Sequence, residues 1–165
     1  MNKILVIGAG AMGAAFTFPL VDNNHKVTLT EPYNKDFQNK LLKKNKFHPT
    51  LKLKLSKRVS IKKFSSELID EKWDLIVVAV SSIGIEMVRR YLKNIKRNIS
   101  RLVLTKGLKF DQNINKIITM SEQLSKGNQN LNISVLKGPC LAKELAKKIK
   151  SYTVIANKNI NIAIN

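Results

Sequence analysis

Short apolar runs alternate along this chain with longer segments in which apolar residues recur at helical spacing. The clearest run, residues 73–80, is rich in valine and is typical of a central buried strand. Strands that alternate with helices indicate a parallel sheet covered on both faces. We therefore predict an α/β fold with a doubly wound, mostly parallel sheet. The predicted strands cover residues 3–7, 26–30, 59–61, 73–80, 101–105, 132–136 and 152–156, and the predicted helices cover 11–22, 35–44, 65–70, 82–92, 114–124 and 140–148.

The first predicted strand runs without a break into the glycine-rich sequence of residues 8–13. In a strand-to-helix turn, Gly8 permits the tight bend, Gly10 lets a pyrophosphate approach the backbone, and Gly13 lets the helix pack closely on the strand. The diphosphate of a dinucleotide would lie at the positive end of that helix. This pattern predicts a Rossmann-like dinucleotide site, with a purely structural turn or another nucleotide-like ligand as the alternatives.

The second predicted strand ends in an acidic residue, Glu31. In this fold a carboxylate near that position accepts hydrogen bonds from the adenosine ribose, and its charge repels a 2′-phosphate. Glu31 therefore favours NAD over NADP. Two alternatives stay open, because Glu31 is also compatible with a solvated strand end before Pro32, and nearby Lys35 could reach a phosphate.

The composition is that of a single globular domain over residues 1–165. With 44% apolar residues, the chain is long enough to bury a core. Its longest apolar run, residues 75–80, is too short to span a bilayer, and no export signal is visible, so we expect a cytoplasmic protein without a membrane partner. One cysteine and two distant histidines predict no internal disulfide and no metal site.

The strongly basic charge suggests nucleic acid as a partner at first sight. The formal net charge is +19 and the isoelectric point is near 10.2. Lysines outnumber arginines, however, and nine basic residues between positions 43 and 63 come without an RNA-reading motif or an arginine-rich helix. We predict no specific nucleic-acid partner, and only non-specific attraction of polyanions at low salt.

Ligands of a doubly wound sheet bind at the carboxyl ends of the strands, so the segments that follow the strands are candidate sites. Lys106 directly follows a strand and could bind a phosphate or polarise a carbonyl. Cys140 lacks a nearby histidine base in sequence, so an N-cap position on the following helix is a better interpretation than a nucleophile. Ser81 and Ser82 could cap their helix or contact a ribose, and capping is the preferred interpretation.

Several of these segments together resemble the N-terminal half of NAD(P)-dependent glycerol-3-phosphate dehydrogenases. The similarity runs along nearly the whole chain in order, and its blocks at 104–108 and 138–144 are much more specific than the glycine motif. The resemblance rests on residues 7–13, 47–49, 75–82, 104–108 and 135–144.

The resemblance implies roles for individual residues. Ala11, Met12, Lys106 and Ala142 would contact the cofactor. Lys106, Gly138 and Cys140 would face the triose phosphate, with Lys106 also the catalytic candidate. Two residues depart from the family pattern, which commonly has Ser or Thr at the position of Cys140 and Pro at that of Ser81. A thiol is a poorer hydrogen-bond partner than a hydroxyl, so the first departure weakens one substrate contact.

The implied activity is hydride transfer between NAD(P)H and dihydroxyacetone phosphate, or the reverse from sn-glycerol 3-phosphate. Family members carry the proton-transferring lysine on a second, helical domain. We expect this chain to stop before that domain, and residues 159–165 start an element without a stop signal. We expect cofactor binding with little or no turnover. A non-catalytic dinucleotide-sensing module and a reductase for another hydroxy or keto acid are the alternatives, and the oligomeric state stays open.

Overall fold

A computed structural model describes residues 1–43, 45–95, 99–128 and 131–164 of the chain. Within these ranges the strands are β1 (Lys3–Ile7), β2 (Lys26–Thr30), β3 (Phe47–His48), β4 (Leu53–Lys54), β5 (Ser60–Ile61), β6 (Leu75–Val78), β7 (Ser100–Val103), β8 (Leu108–Asp111), β9 (Lys116–Thr119), β10 (Ile133–Lys137) and β11 (Val154–Ala156). The helices are α1 (Ala11–Asp22), α2 (Lys35–Lys43), α3 (Ser66–Asp70), α4 (Ile85–Leu92), α5 (Met120–Ser125), α6 (Ala142–Ala146) and α7 (Ile160–Ile164), with a 3₁₀ turn at Ser82–Gly84.

Seven of these strands form one sheet in the order β11-β10-β7-β6-β1-β2-β5. All neighbouring pairs are parallel except β10 with β11. The chain builds outward from β1 through β2 to β5 and then returns to place β6 on the other side of β1. This reversal puts a topological switch point at the carboxyl end of β1, where doubly wound folds bind ligands. The predicted fold class is confirmed.

The core has one layer on each face of the sheet. Alternate residues of β1 point to opposite faces, so that Ile4 and Val6 pack with α1 on one side and Leu5 and Ile7 pack with α4 on the other. These four side chains are at most 2% exposed. Burial on both faces explains why β1 is a continuous apolar run instead of an alternating one.

The predicted helix at 114–124 is wrong in its first half. The structure has the antiparallel hairpin β8–β9 there, and α5 begins only after Thr119. Thr119 and Glu122 form a capping box, in which each side chain accepts from the other residue's backbone amide. The turn of the hairpin uses Asn115 at φ 50°, a conformation that asparagine tolerates better than most residues. The local capping box thus sets the start of the helix.

Other boundaries shift by smaller amounts. The predicted loop after position 47 contains the short hairpin β3–β4, and the predicted helix at 140–148 is confined to α6. The predicted helix at 65–70 begins one residue later, and Ser65 is its N-cap, because the hydroxyl of Ser65 accepts from the amide of Leu68 at 3.2 Å. The end of the predicted helix at position 44 and the last residue, 165, lie outside the described residues. In the described part of the chain, no helix has the length and apolar character needed to cross a bilayer.

Candidate cofactor site

The glycine-rich turn joins β1 to α1 at the switch point, and two of its glycines are required by close approaches. Gly8 has φ +107°, and its amide donates to the carbonyl oxygen of Thr30 at 2.8 Å. A Cβ atom on Gly8 would lie 2.6 Å from the carbonyl oxygen of Ala79, and one on Gly13 would overlap the carbonyl oxygen of Gly8. The two glycines therefore let β1, β6 and α1 meet at van der Waals distance. Close packing was predicted for Gly13, whereas Gly8 was predicted only to permit the tight bend.

The third glycine of the turn, Gly10, has the opposite surroundings. Its φ is −62°, it is exposed, and no atom of the described residues lies within 4 Å of the position that a Cβ would take. Gly10 is the N-cap of α1, and none of the side chains that the structure describes caps this end of the helix or places a carboxylate in its first turn. The first amides of a helix lack acceptors within the helix, so this end can donate to an anion. The open space and free donors fit a diphosphate.

The peptide of Ala9, in the middle of the turn, is held on both sides. Its amide donates to Oε2 of Glu31 at 2.8 Å, and its carbonyl oxygen accepts from Nε2 of His48 at 2.9 Å. Oε1 of Glu31 also accepts from the amide of Tyr33 at 3.0 Å. Glu31 thus orients the turn directly, in addition to standing at the end of β2 where the ribose of a dinucleotide lies in this fold.

His48 is fully buried, and both of its ring nitrogens are engaged. The amide of Leu51 donates to Nδ1 at 3.2 Å, so the ring proton is on Nε2, where it can be donated to Ala9. Burial lowers the pKa of His48, and the hydrogen bond with Ala9 opposes this shift. The ring of Phe37 packs edge-on at 5.3 Å between centroids. His48 is therefore held as a neutral side chain that supports the glycine turn.

A cavity of about 280 Å³ extends from the start of α1 toward the ends of β6 and β7. Its walls include Met12, Lys106, Cys140 and Ala142, four of the residues predicted for the site. Lys106 is exposed at the mouth, whereas Cys140 is buried. The fold thus brings these residues, from three distant parts of the sequence, together around one cleft at the carboxyl edge of the sheet.

Beside this cleft lies a second cavity of about 470 Å³, which Lys106 shares with Lys137. Nζ of Lys137 donates to the carbonyl oxygen of Thr105 at 2.9 Å, directly before Lys106 in the chain. Burial lowers the pKa of Lys137, and the positive charge of Lys106 adds to this effect. The carboxyl ends of β7 and β10 therefore carry two neighbouring cations.

Two sequence predictions about capping are wrong. The N-cap of α6 is Leu141, and Cys140 lies one residue before this N-cap, where its sulfur accepts from the hydroxyl of Ser151 at 3.4 Å. Ser81 precedes the 3₁₀ turn, but its side chain makes no capping hydrogen bond. The turn is closed instead by the amide of Gly84, which donates to the carbonyl oxygen of Ser81. In the 3₁₀ turn a backbone hydrogen bond therefore takes the place of the predicted side-chain cap.

Gly138 follows β10 and has φ +131°. A Cβ there would lie 2.9 Å from the carbonyl oxygen of Tyr152, on the segment that leads into β11. The contact with this antiparallel edge segment is enough to require a glycine at position 138. Its predicted contact with the substrate stays a prediction.

The comparisons with known proteins agree with this geometry. Residues 3–163 match the family described as the NAD-dependent glycerol-3-phosphate dehydrogenase N-terminus. The chain belongs to this family. An NAD(P)+ glycerol-3-phosphate dehydrogenase of Francisella tularensis is 30% identical over 168 residues, 98% of this chain and 48% of the relative. An NADP(+)-dependent glycerol-3-phosphate dehydrogenase of Archaeoglobus fulgidus is 27% identical over 163 residues, 93% of this chain and 46% of the relative.

A solved structure is similar over the same region. The glycerol-3-phosphate dehydrogenase of Coxiella burnetii superposes with a TM-score of 0.82 at 20% identity, over 99% of this chain and 49% of that one. This similarity shows the fold. The chain spans about half the length of the curated relatives that it matches. Membership of the glycerol-3-phosphate dehydrogenase family confirms the resemblance found in the sequence, and the cofactors named for the family and its relatives agree with the predicted NAD or NADP.

Sequence reasoning missed two residues of this site. His48 belonged to a motif of the resemblance, but no local pattern indicated that its ring would reach Ala9, 39 positions away. Lys137 is one lysine among many, and the only signal that could have singled it out is its position at the end of a predicted strand beside that of Lys106. The side chain of Lys35, the alternative phosphate ligand, lies outside the described residues.

Proposed function

We propose that this chain binds NAD or NADP along the carboxyl edge of its sheet, as the cofactor-binding part of a glycerol-3-phosphate dehydrogenase. The observation that carries the proposal is the uncapped start of α1, with open space at Gly10, next to a cleft bordered by Lys106. A dinucleotide needs both features, because its diphosphate requires amide donors and its reactive ring requires a cleft beside the substrate.

The proposed reaction interconverts dihydroxyacetone phosphate and sn-glycerol 3-phosphate. When bound, NAD(P)H would supply the hydride for C2 of the ketone, and NAD(P)+ would accept it in reverse. The proton on the resulting alcohol would come from the lysine that family members carry on their second domain, and would return to it in reverse. Lys106 holds its ammonium group beside the oxygen on C2 and stabilises the negative charge that develops there during reduction. Met12 and Ala142 line the same cleft and contact the cofactor, while Cys140 faces the substrate next to Lys106.

Glu31 makes NAD the preferred cofactor in this proposal. The amides of Ala9 and Tyr33 hold its carboxylate at the end of β2, so that its charge is fixed near the adenosine ribose. We expect NADH to bind about tenfold or more tightly than NADPH, because a 2′-phosphate would meet this carboxylate. Fluorescence titration with both reduced cofactors measures the ratio. A ratio near one, or a preference for NADPH, would contradict the role of Glu31.

The test of the site itself is Gly10→Ala, read by NADH binding instead of turnover because the chain spans about half the length of its relatives. The backbone at Gly10 suits alanine and the space around it is open. The added methyl group should therefore leave the fold intact and weaken NADH binding by about tenfold or more, since it occupies the space proposed for the diphosphate.

A matched control is Gly127→Ala, at a position with open space but φ +85°. It should cost about 1 kcal/mol of unfolding free energy and leave NADH affinity unchanged. Gly10→Ala should thus change NADH affinity with little effect on stability, whereas Gly127→Ala should change stability with no effect on NADH affinity. NADH affinity equal to that of the original chain in Gly10→Ala would refute the proposed diphosphate position.

The variant Lys106→Met distinguishes two hypotheses, that the chain is part of a dehydrogenase and that it is a module that only senses dinucleotides. In the proposed function, this variant keeps its NADH affinity within about twofold and loses affinity for dihydroxyacetone phosphate by about tenfold, the effect of removing one charge-assisted hydrogen bond. A sensing module has no ketone ligand to lose. Unchanged binding of dihydroxyacetone phosphate by Lys106→Met would remove the catalytic role assigned to this lysine.

A further inference from the structure

Arg101 lies in an apolar layer of the core. It is the second residue of β7 and is in register with Ile76 on β6 and Ile133 on β10. Residues in register on neighbouring strands point to the same face of a sheet, and on this face Ile76 and Ile133 pack with α4 and α5. Arg101 is only 1% exposed. Because an arginine is almost never fully buried unless it is paired, the partners of this guanidinium group are informative.

One part of the guanidinium group has a partner and the rest has none. Nη1 donates to the carbonyl oxygen of Ile99 at 2.7 Å. Nε and Nη2 are buried as well, but neither has a hydrogen-bond partner among the described residues. Together these two nitrogens form one edge of the planar group, from which two N–H bonds point in nearly the same direction. This edge therefore has the geometry to donate to two acceptor atoms of one ligand.

The positive charge of Arg101 is also without a counter-ion. The chain has 11 aspartate and glutamate residues, and none of the ion pairs in the described part of the chain includes Arg101. Burial lowers the pKa of Arg101, and no carboxylate of the described residues opposes this shift. An arginine nevertheless stays protonated in proteins. The fold thus buries a permanent charge that the described residues do not neutralise.

We propose that the free edge of Arg101 binds a small planar oxyanion of the carboxylate class inside this layer. Two oxygen atoms of such an anion accept from Nε and Nη2 in a bidentate pair, and its charge neutralises the guanidinium group. The anion has few atoms, as formate and bicarbonate do, because Arg101 is closed to solvent and is reached only when the layer opens locally. The site is independent of the proposed function, since Lys106 and the cofactor cleft lie beyond the carboxyl end of β7.

The competing explanation is that an ordered water molecule accepts from Nε and Nη2 and that no anion binds. Three variants separate the two explanations. Arg101→Met replaces the charge with an unbranched apolar side chain, whereas Arg101→Lys keeps the charge and removes the two-donor edge. Arg58→Met is the matched control for the general attraction of anions to a chain with a net charge of +19, because Arg58 is exposed.

The measurement is urea unfolding in sodium formate and in sodium gluconate at the same ionic strength, together with an NMR titration of the arginine Nε–H signals. Gluconate carries the same carboxylate on a body too large for the site, and degassed buffers remove bicarbonate. Formate at ten times its dissociation constant should raise the urea midpoint of the original chain by about 0.5 M or more relative to gluconate. It should also shift one Nε–H signal that is absent from Arg101→Met.

The variants should respond differently to formate. Arg58→Met should show the same gain as the original chain, Arg101→Met should show none, and Arg101→Lys should bind formate about tenfold more weakly. In gluconate, Arg101→Met should be at least as stable as the original chain, because the substitution removes a buried charge that has no partner there.

Four results would overturn the inference. The first is the same urea midpoint of the original chain in formate and gluconate, with unshifted Nε–H signals, which leaves the water molecule as the explanation. The second is an equal gain in Arg101→Met, which assigns the effect to the salt in general. The third is an Arg101→Met protein that is much less stable than the original chain in gluconate, or unfolded, which shows that the fold already compensates the charge. The fourth is an equal gain with chloride, which excludes a preference for planar oxyanions.

Discussion

The two halves of the candidate site offer different chemical groups to a ligand. The glycine half consists of residues 8–13 with Glu31 and His48, and offers backbone amides to a ligand. The lysine half consists of Lys106, Lys137 and the residues that follow β10, and offers long side chains. In the first half the supporting contacts are buried and short, whereas in the second the charged groups are exposed at the edge of the sheet.

Because of this difference, we expect ligand binding to be coupled to folding stability in the glycine half and not in the lysine half. A backbone amide takes a defined orientation only when the chain around it is fixed. In the glycine half this is achieved by the buried ring of His48, which binds Ala9, and by the close packing of α1 on β1. The position of a lysine ammonium group is set by the rotamers of its own side chain, so the stability of the surrounding fold depends little on it. Substitutions of the packed residues in the glycine half, such as Gly13 and His48, should therefore change stability and binding together. Substitutions in the lysine half should change binding alone.

Gly13→Ala should have the largest effect. Its methyl group would overlap the carbonyl oxygen of Gly8, a backbone atom that cannot turn away, so α1 must shift from the sheet. We expect the free energy of unfolding in urea to fall by about 3 kcal/mol or more. The same substitution at Gly10, where space is open, should cost about 1 kcal/mol or less. Equal losses of unfolding free energy in Gly13→Ala and Gly10→Ala would contradict the assignment of Gly13 to packing and of Gly10 to ligand binding.

His48→Ala should come second. It removes a buried ring and leaves the carbonyl oxygen of Ala9 and the amide of Leu51 without their partner. The expected loss is about 2–4 kcal/mol, accompanied by weaker NADH binding because the turn loses one of its two supports. His25→Ala, which removes the less buried histidine, should cost less than about 1 kcal/mol. If His48→Ala loses stability but keeps its NADH affinity, the ring of His48 supports the fold and not the cofactor site.

The pH dependence of stability gives a smaller effect from the same residue. The pKa of His48 in the folded chain is below its ordinary value of 6.5, so the unfolded chain takes up a proton first as the pH falls. Stability is therefore highest above pH 6.5 and declines below it, by at most about 1.4 kcal/mol per pH unit from this group. Urea titrations between about pH 7.5 and 5 measure the slope, which should disappear in His48→Gln and persist in His25→Gln.

Lys106→Met should have the smallest effect on stability, less than about 0.5 kcal/mol, because the side chain is exposed at the mouth of the cleft. The same protein is expected to lose affinity for the ketone substrate. A change in thermal unfolding comparable to that of His48→Ala would show that the lysine half is also part of the structural support, and the contrast between the two halves would no longer hold.

Much of this organisation follows from local sequence patterns. The continuous apolar runs of β1 and β6 predicted buried parallel strands, and the glycine motif predicted the turn at the switch point. Where a pattern was short, prediction was weaker. The run Lys116–Thr119 has apolar residues at adjacent positions, which suits either helix or strand, and its pairing with Leu108–Asp111 decided the outcome. The capping box that starts α5 was visible in the sequence but competed with a longer helical interpretation.

The amino-acid sequence alone was enough to predict most strands of the main sheet and the helices between them, the position of the glycine turn and the family. These features depend on residues close together in the chain and on the preference of apolar runs for burial. The contact of His48 with Ala9, the position of Lys137 beside Lys106 and the absence of side-chain caps at Ser81 and Cys140 became known only from the three-dimensional structure, within its described residues. Such contacts join residues tens of positions apart, and they form only when the register of neighbouring strands brings their ends to one edge of the sheet.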